Sequence, residues 1–222
     1  MTRPDYLVGS SKVPSVTEVI GSNLGWDKQA LIAWARREGM AGRDPYLLRD
    51  KAASIGTLTH LLIQQRNAPD KVTIDWKTWT PEHRALAETG LAAFERWAKP
   101  RKIETLDTEK SLVSARHHYG GTLDWIANID EIPSYLDFKT SKGIYPGHKI
   151  QVAAYLQLWH ENYGVWLQPN ILHLKKDDGT FTHHILSDLQ PYLQVFLCLL
   201  EIHSLRSRIE HPPFPERAGK EK

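Results

Sequence analysis

The segment Tyr135-Leu136-Asp137-Phe138-Lys139-Thr140 places a carboxylate and an ammonium two positions apart in an apolar stretch. Because side chains alternate between the two faces of a strand, Asp137 and Lys139 should share one face. The carboxylate can hold a hard cation, and the ammonium can orient a water or stabilise charge that develops on a phosphate. The same triplet also fits an exposed ion pair on a half-buried strand, so its neighbours must decide between the two interpretations.

Two further carboxylates precede this pair. Asp124 interrupts an apolar stretch at positions 123–129, where a charge needs a partner or a metal. Glu109 begins the strand that we expect just before it. Three adjacent strands would bring Glu109, Asp124 and Asp137 to one point, and their mutual repulsion would then require a cation. Three carboxylates with waters are suitable ligands for Mg²⁺ or Mn²⁺.

Two polar sets lie on expected helices. Gln151 and Tyr155 are four residues apart and therefore share a helix face. Both can hydrogen-bond phosphate oxygens or a metal-bound water, although a routine helix-to-sheet contact would use the same residues. His60 ends the small-residue segment Gly56-Thr57-Leu58-Thr59-His60. From the residues alone, a structural histidine is the simpler interpretation of His60.

Taken in order, these residues form five motifs. They are Gly-Thr-x-x-His at 56–60, Glu at 109, Gly-x-x-Asp at 121–124, Asp-x-Lys at 137–139 and Gln-x-x-x-Tyr at 151–155. The succession resembles the RecB-like exonuclease branch of the PD-(D/E)xK nuclease superfamily over about residues 14–160. One departure is Leu123, which stands where the superfamily name records proline.

The resemblance implies a role for each residue. Asp124 and Asp137 would be the core metal ligands, with His60 as a further ligand. Lys139 would position or activate the attacking water, and Glu109 would be a ligand or would orient Lys139. Gln151 and Tyr155 would contact the nucleophile side and the substrate backbone. The cofactor would be Mg²⁺ or Mn²⁺, with two ions expected.

Relatives in this branch that hold an iron–sulfur cluster use four cysteines, whereas this chain has one, Cys198. No iron–sulfur cluster is therefore expected, and the chain resembles the cluster-free phage-type or mitochondrial-type relatives. Cys198 lies in an apolar run, which predicts a small buried hydrophobic side chain.

DNA contacts are expected from basic residues near the catalytic segments. Lys142 and Lys149 flank the catalytic strand and the following helix, and Arg116 lies between two expected strands. Binding along the phosphates of a DNA strand needs such charges, and Tyr155 would add a contact to the DNA backbone. Each of these residues also fits an ordinary solvated surface.

Composition sets few limits. The chain has 222 residues, 41% of them hydrophobic, and a net charge of +2. This charge neither demands nor excludes nucleic acid, so any binding face must come from local clustering. The N-terminus lacks the apolar core of a signal peptide, and no run approaches the roughly 20 apolar residues of a membrane span. We expect no membrane partner and a cytoplasmic setting, or the host cytoplasm for a viral protein.

The elements that must position these residues follow from caps and periodicity. Residues 1–100 read as a helical region, with a capping box at Ser15 and Glu18. Prolines after cap residues predict helices over 45–66 and 81–98. Residues 101–210 form the sheet-containing catalytic core. Its expected elements are strands at 109–115, 119–129 and 134–139, a helix at 147–163, strands at 165–175 and 180–186, and a final helix capped by Ser187 with Gln190 that runs to about 209.

This order predicts a single α/β domain over 1–222, with a restriction-endonuclease-like core, a central mixed sheet flanked by helices, and a flexible tail at 211–222. We expect a metal-dependent DNA exonuclease that hydrolyses phosphodiester bonds at ends or in single strands, in recombination, repair or replication. A structure-specific endonuclease remains the alternative of similar mechanism. A non-catalytic nucleic-acid-binding module with the same fold is the alternative of a different class.

Overall fold

The computed structural model describes residues 4–210 of the chain, and two sheets and six α-helices are present in that range. The strands are β1 Tyr6–Val8, β2 Ser11–Val13, β3 Ile103–Ser114, β4 Tyr119–Ile129, β5 Ile132–Lys139, β6 Gln168–Leu174 and β7 Phe181–Ile185. The helices are α1 Val16–Asn23, α2 Lys28–Met40, α3 Pro45–Asn67, α4 Pro81–Ala98, α5 Pro146–Tyr163 and α6 Gln190–Glu210. Two short 3₁₀ turns, Pro69–Lys71 and Trp76–Thr78, connect α3 to α4.

The central sheet has five strands in the order β3-β4-β5-β6-β7. Neighbouring strands are antiparallel except for β5 and β6, which are parallel. Helix α5 makes the crossover that a parallel pair requires. The prediction of a mixed α/β domain, whose central mixed sheet is flanked by helices, is therefore confirmed and is consistent with a restriction-endonuclease-like core.

Apolar side chains cover both faces of this sheet. On one face, α1, α5 and α6 bury Val16, Ile150 and Phe196 against the strands. On the other face, α3 and α4 bury side chains such as Ile63 and Phe94. Within residues 4–210, no helix has both the length and the apolar character to cross a bilayer.

Three of the expected helix starts are confirmed by their caps. The Ser15 hydroxyl accepts from the backbone N–H of Glu18 at 3.1 Å, and the Glu18 side chain accepts from the Ser15 N–H in return. The Asp44 and Thr80 side chains accept from backbone N–H groups in the first turns of α3 and α4, and each is followed by proline at the first helical position. Satisfying these exposed N–H groups fixes where each helix begins.

Four sequence-based expectations are wrong. The first hundred residues are not wholly helical, because β1 and β2 form a hairpin around Gly9, whose φ is 61°. Strand β3 begins at Ile103 rather than at 109. Helix α6 begins at Gln190, so Ser187 lies too far upstream to be its cap residue. Cys198 is exposed rather than buried, since it lies on the outer side of α6. The predicted tail at 211–222 lies outside the described residues.

Candidate active site

The register of the sheet aligns the three carboxylates. In the β3–β4 pair, Thr108 is opposite Trp125 and Lys110 is opposite Leu123, which puts Glu109 across from Asp124. In the β4–β5 pair, Trp125 is opposite Leu136, so the next position sets Asp124 across from Asp137. The three acidic residues therefore occupy one row across three adjacent strands.

The backbone is irregular at this row. Leu123 packs with the α5 side of the sheet, whereas Trp125 packs with the α4 side. In a regular strand these two side chains would share a face, so β4 changes face at Asp124. On β3, Glu109 has a φ of 50°, a left-handed conformation that a non-glycine residue adopts only when its surroundings impose it. Glu109 and Asp124 consequently line a cleft beside α3 instead of entering either core.

Helix α3 brings His60 to this row. One ligand atom from each of His60, Glu109 and Asp124 lies within 4.8 Å of the others, and the cleft that they line has a volume of about 290 Å³. Gly56 allows the approach, since a Cβ at that position would lie 2.9 Å from the Thr140 hydroxyl at the end of β5. The structure therefore brings His60 together with two of the three carboxylates, Glu109 and Asp124.

Hydrogen bonds orient these ligands. The Asp124 Oδ2 atom accepts from the backbone N–H of Phe138 at 2.9 Å. The His60 Nε2 atom lies 3.1 Å from the Phe138 carbonyl oxygen, which can only accept, so Nε2 carries the proton. In the neutral ring, Nδ1 then presents a lone pair toward Asp124 Oδ2, 3.6 Å away. Two electron-rich atoms facing each other at this distance form a suitable environment for a cation.

Asp137 and Lys139 form a buried pair beside this cluster. Asp137 is fully buried, and its Oδ2 lies 2.5 Å from the Lys139 Nζ. Its Oδ1 accepts from the Tyr135 hydroxyl at 3.2 Å. Apart from the ion-pair contact, Oδ2 has no hydrogen bond of normal geometry. Asp137 is not a member of the close group of three ligand atoms, and it adjoins that group through Asp124.

Without a metal, burial and mutual repulsion raise the pKa of two carboxyl groups in the site. Burial, with the charge of Asp124 adding to it, raises the pKa of Glu109 to about 8. Burial also raises the pKa of Asp137 to about 6, although the Lys139 ammonium opposes the rise. A bound divalent cation would favour the ionised carboxylates, so metal binding should release protons.

Helix α5 supplies Gln151 and Tyr155 from the opposite side. Gln151 Nε2 donates to the Tyr155 hydroxyl at 3.1 Å. A Cβ at Gly121 would lie 2.4 Å from the Tyr155 ring, so only glycine leaves room for it. Burial is the main reason that the pKa of Tyr155 lies well above its usual value, and the charges of Asp124 and Asp137 add to it. Tyr155 is only 4% exposed, which places it beneath the carboxylates rather than on the open surface.

The three expected basic contacts are dispersed. Lys142 is exposed in the loop that follows β5. The Lys149 ammonium stands 5.7 Å from the centre of the Tyr192 ring and lines a different cavity. Arg116 is exposed in the β3–β4 turn. Strand β4 begins after this turn at Tyr119, and the five positions from Tyr119 to Asp124 cover about 17 Å of strand. The structure does not bring Lys149 or Arg116 to the carboxylates.

Sequence reasoning missed three neighbours of the pair. Tyr135 lies two residues before Asp137, so strand alternation alone could have placed it on the same face. His173 is opposite Lys139 in the β5–β6 register, and its Nε2 donates to the Ser141 carbonyl at 2.6 Å. Burial, reinforced by the Lys139 and His173 charges, lowers the pKa of His148 to about 4. No sequence pattern indicated the two histidines, because a parallel crossover and its register bring them to Lys139.

No protein-family model matches the chain, and no curated protein matches it. A solved structure of a "putative exonuclease" from Eubacterium rectale is similar at 17% identity and a TM-score of 0.48, covering 78% of this chain and 76% of the other. The protein SSO0001 is similar at 15% identity and a TM-score of 0.35, covering 70% of this chain and 74% of the other.

Proposed function

We propose that this protein is a metal-dependent DNA exonuclease that hydrolyses phosphodiester bonds, acting on DNA ends or single strands in recombination, repair or replication. The observation that carries the proposal is the convergence of His60, Glu109 and Asp124 in one cleft, next to the buried Asp137–Lys139 pair. This is a set of two carboxylates and an imidazole with an adjacent ammonium, which suits metal-assisted in-line hydrolysis of a phosphodiester.

The donor set fits Mg²⁺ or Mn²⁺. Glu109 and Asp124 supply carboxylate oxygens and His60 supplies an imidazole nitrogen, while Asp137 offers the buried Oδ2 that lacks a normal hydrogen bond. The imidazole nitrogen favours Mn²⁺ over Mg²⁺, because Mg²⁺ is the harder cation and prefers oxygen ligands. When bound, the metal would lower the pKa of a coordinated water and neutralise charge on the phosphate.

The protein's own side chains would orient the attacking water and stabilise charge in the transition state. Asp137 holds the Lys139 ammonium at 2.5 Å, which fixes its position before substrate arrives. Lys139 would orient the attacking water and stabilise the charge that develops on the phosphate oxygens in the transition state. Gln151, tethered to Tyr155, would hold the water from the α5 side. Lys142, in the exposed loop after β5, is the predicted basic residue best placed for a backbone phosphate.

End-labelled linear DNA and covalently closed circular DNA, each incubated with Mg²⁺, Mn²⁺ or excess EDTA, test this proposal. The expected result is stepwise loss of the end label in either metal, no cutting in EDTA and an intact circle. Cutting of the circle would instead support the structure-specific endonuclease. Full cutting in EDTA would refute metal dependence, and binding without cutting under every condition would favour the non-catalytic module.

A further inference from the structure

A second cavity lies at the far end of α3. It has a volume of about 530 Å³ and lies between the C-terminal ends of α3 and α4 and the first residues of β3. Its walls carry three cationic side chains, Arg66, Lys99 and Arg101, against one carboxylate, Glu95. We call it the basic cavity.

The basic cavity is linked to the candidate active site by shared lining residues. The active-site cleft and a narrow neighbouring cavity share four lining residues, among them His60 and Gln64. This narrow cavity also includes Asn67, which lines the basic cavity in turn. The three cavities therefore follow one another along α3, from His60 to Asn67. From His60 to Asn67 the helix rises by about 10 Å, a distance that a DNA strand covers in a few nucleotides.

The cations of this cavity can still bind an anion. The Arg66 Nε lies 3.8 Å from Glu95, which is too far for a hydrogen bond, and Arg66 and Lys99 are exposed. Arg101 is held more firmly, because its guanidinium lies 4.7 Å from the centre of the Trp97 ring and donates to the Trp97 carbonyl. A pre-positioned guanidinium beside two exposed cations suits phosphate oxygens, which Arg binds through several donors at once.

We propose that the basic cavity binds backbone phosphates of the DNA strand whose scissile phosphate lies at the carboxylates, a few nucleotides away along α3. The identity of this strand rests on the proposed function. A competing explanation is that these cations only offset the partial negative charge of the α3 and α4 C-termini, in which case their loss would affect stability and not DNA affinity.

The matched comparison uses two double variants that each remove two positive charges. Arg66→Gln with Lys99→Gln alters the cavity, and Arg206→Gln with Arg208→Gln alters exposed positions at the end of α6, on the other side of the sheet. Affinity for a fluorescent single strand of about twelve nucleotides is measured in EDTA by anisotropy, across a range of salt concentrations. We expect the cavity variant to lose about tenfold at 0.15 M salt and its salt slope to fall by about 1.4 units, with the control close to wild type. Equal affinities and slopes for the two variants would overturn the proposal, as would a lowered melting temperature with unchanged affinity.

Strands that carry one neutral methylphosphonate at successive positions locate the contact. We expect wild type to lose affinity when the neutral linkage falls at one or two particular positions, and the cavity variant to be insensitive there. Identical profiles for the two proteins would contradict the assignment. If the double variant does not fold, Lys99→Gln alone gives the same comparison, because Lys99 is exposed.

Cutting by the wild-type protein in Mg²⁺, measured in parallel, separates this proposal from the proposed function. If wild type does not cut DNA but binding still depends on the cavity, the nuclease assignment fails and the cavity assignment holds. If wild type cuts normally but the two double variants bind alike, the cavity assignment fails and the nuclease assignment holds.

Discussion

Among the single residues of the candidate site, Glu109 has the most unusual combination of backbone conformation and carboxyl pKa. It combines a left-handed backbone with a pKa raised to about 8, mainly by burial. Backbone strain and a costly charge persist only where the surrounding structure imposes them, and both are concentrated at functional sites. Among the carboxylates of this site, Glu109 therefore provides the clearest pH dependence.

Between its usual pKa of 4.5 and about 8, Glu109 binds a proton in the folded protein but not in the unfolded chain. The free energy of unfolding of the metal-free protein should therefore fall as pH rises through this window. We expect Glu109→Gln, which carries no charge, to gain stability relative to wild type between pH 5 and pH 8.5, as measured by denaturant unfolding in EDTA. Adding Mn²⁺ should reverse the ranking, because wild type then gains from its ligand. Parallel pH profiles for the two proteins would contradict the buried-acid interpretation.

His60 provides a second residue-scale prediction. We expect His60→Ala to weaken metal binding, so that cleavage at low Mn²⁺ falls by at least about tenfold and is partly recovered at high Mn²⁺. Its fold should persist, because the His60 side chain is 27% exposed and packs at the edge of the cleft. His203→Ala, on α6, is the control and should leave the Mn²⁺ dependence unchanged. An unaltered Mn²⁺ requirement in His60→Ala would remove His60 from the ligand set.

At the scale of elements, the close approach of α5 to β4 depends on Gly121. A Cβ there would lie 2.4 Å and 2.8 Å from two atoms of the buried Tyr155 ring. We expect Gly121→Ala to lower the free energy of unfolding by about 1–3 kcal/mol, as overpacking does, and to displace Tyr155 from the carboxylates. Gly21→Ala, in α1 and with nothing within 4 Å of the added Cβ, should raise stability by up to about 1 kcal/mol. Equal stabilities for the two variants in chemical denaturation would contradict this account of the packing.

Local sequence signals determined which helices and strands could be predicted. Ser15, Asp44 and Thr80 indicated three helix starts, because a cap is a local interaction between residues three or fewer apart. The β1–β2 hairpin was not predicted, because each strand has only three residues, too few to show an alternation of apolar and polar side chains. The start of β3 was not predicted, because a bulge between Thr105 and Asp107 interrupts the two-residue alternation of side chains along the strand.

At the scale of the whole molecule, the candidate site depends on the register between strands. Alternation placed Asp137 and Lys139 on one face, and the order of motifs placed Glu109, Asp124 and His60 near them. Only the paired strands show that the three carboxylates form one row. The position of Lys149 in the sequence is close to the site, whereas the fold places its ammonium 5.7 Å from the centre of the Tyr192 ring.

If the residues of the candidate site perform chemistry, two neighbouring lysines should respond differently to replacement by alanine. Lys139 is paired with the buried Asp137, whereas Lys142 is exposed three residues later. Cleavage rate at saturating DNA and affinity for DNA are measured on Lys139→Ala and Lys142→Ala. We expect Lys139→Ala to lose on the order of 10²–10³ in rate with nearly unchanged affinity, because its charge acts mainly in the transition state. Lys142→Ala should keep its rate and bind slightly more weakly, with a salt slope reduced by about one unit. Cleavage by Lys139→Ala at the wild-type rate would contradict the catalytic assignment.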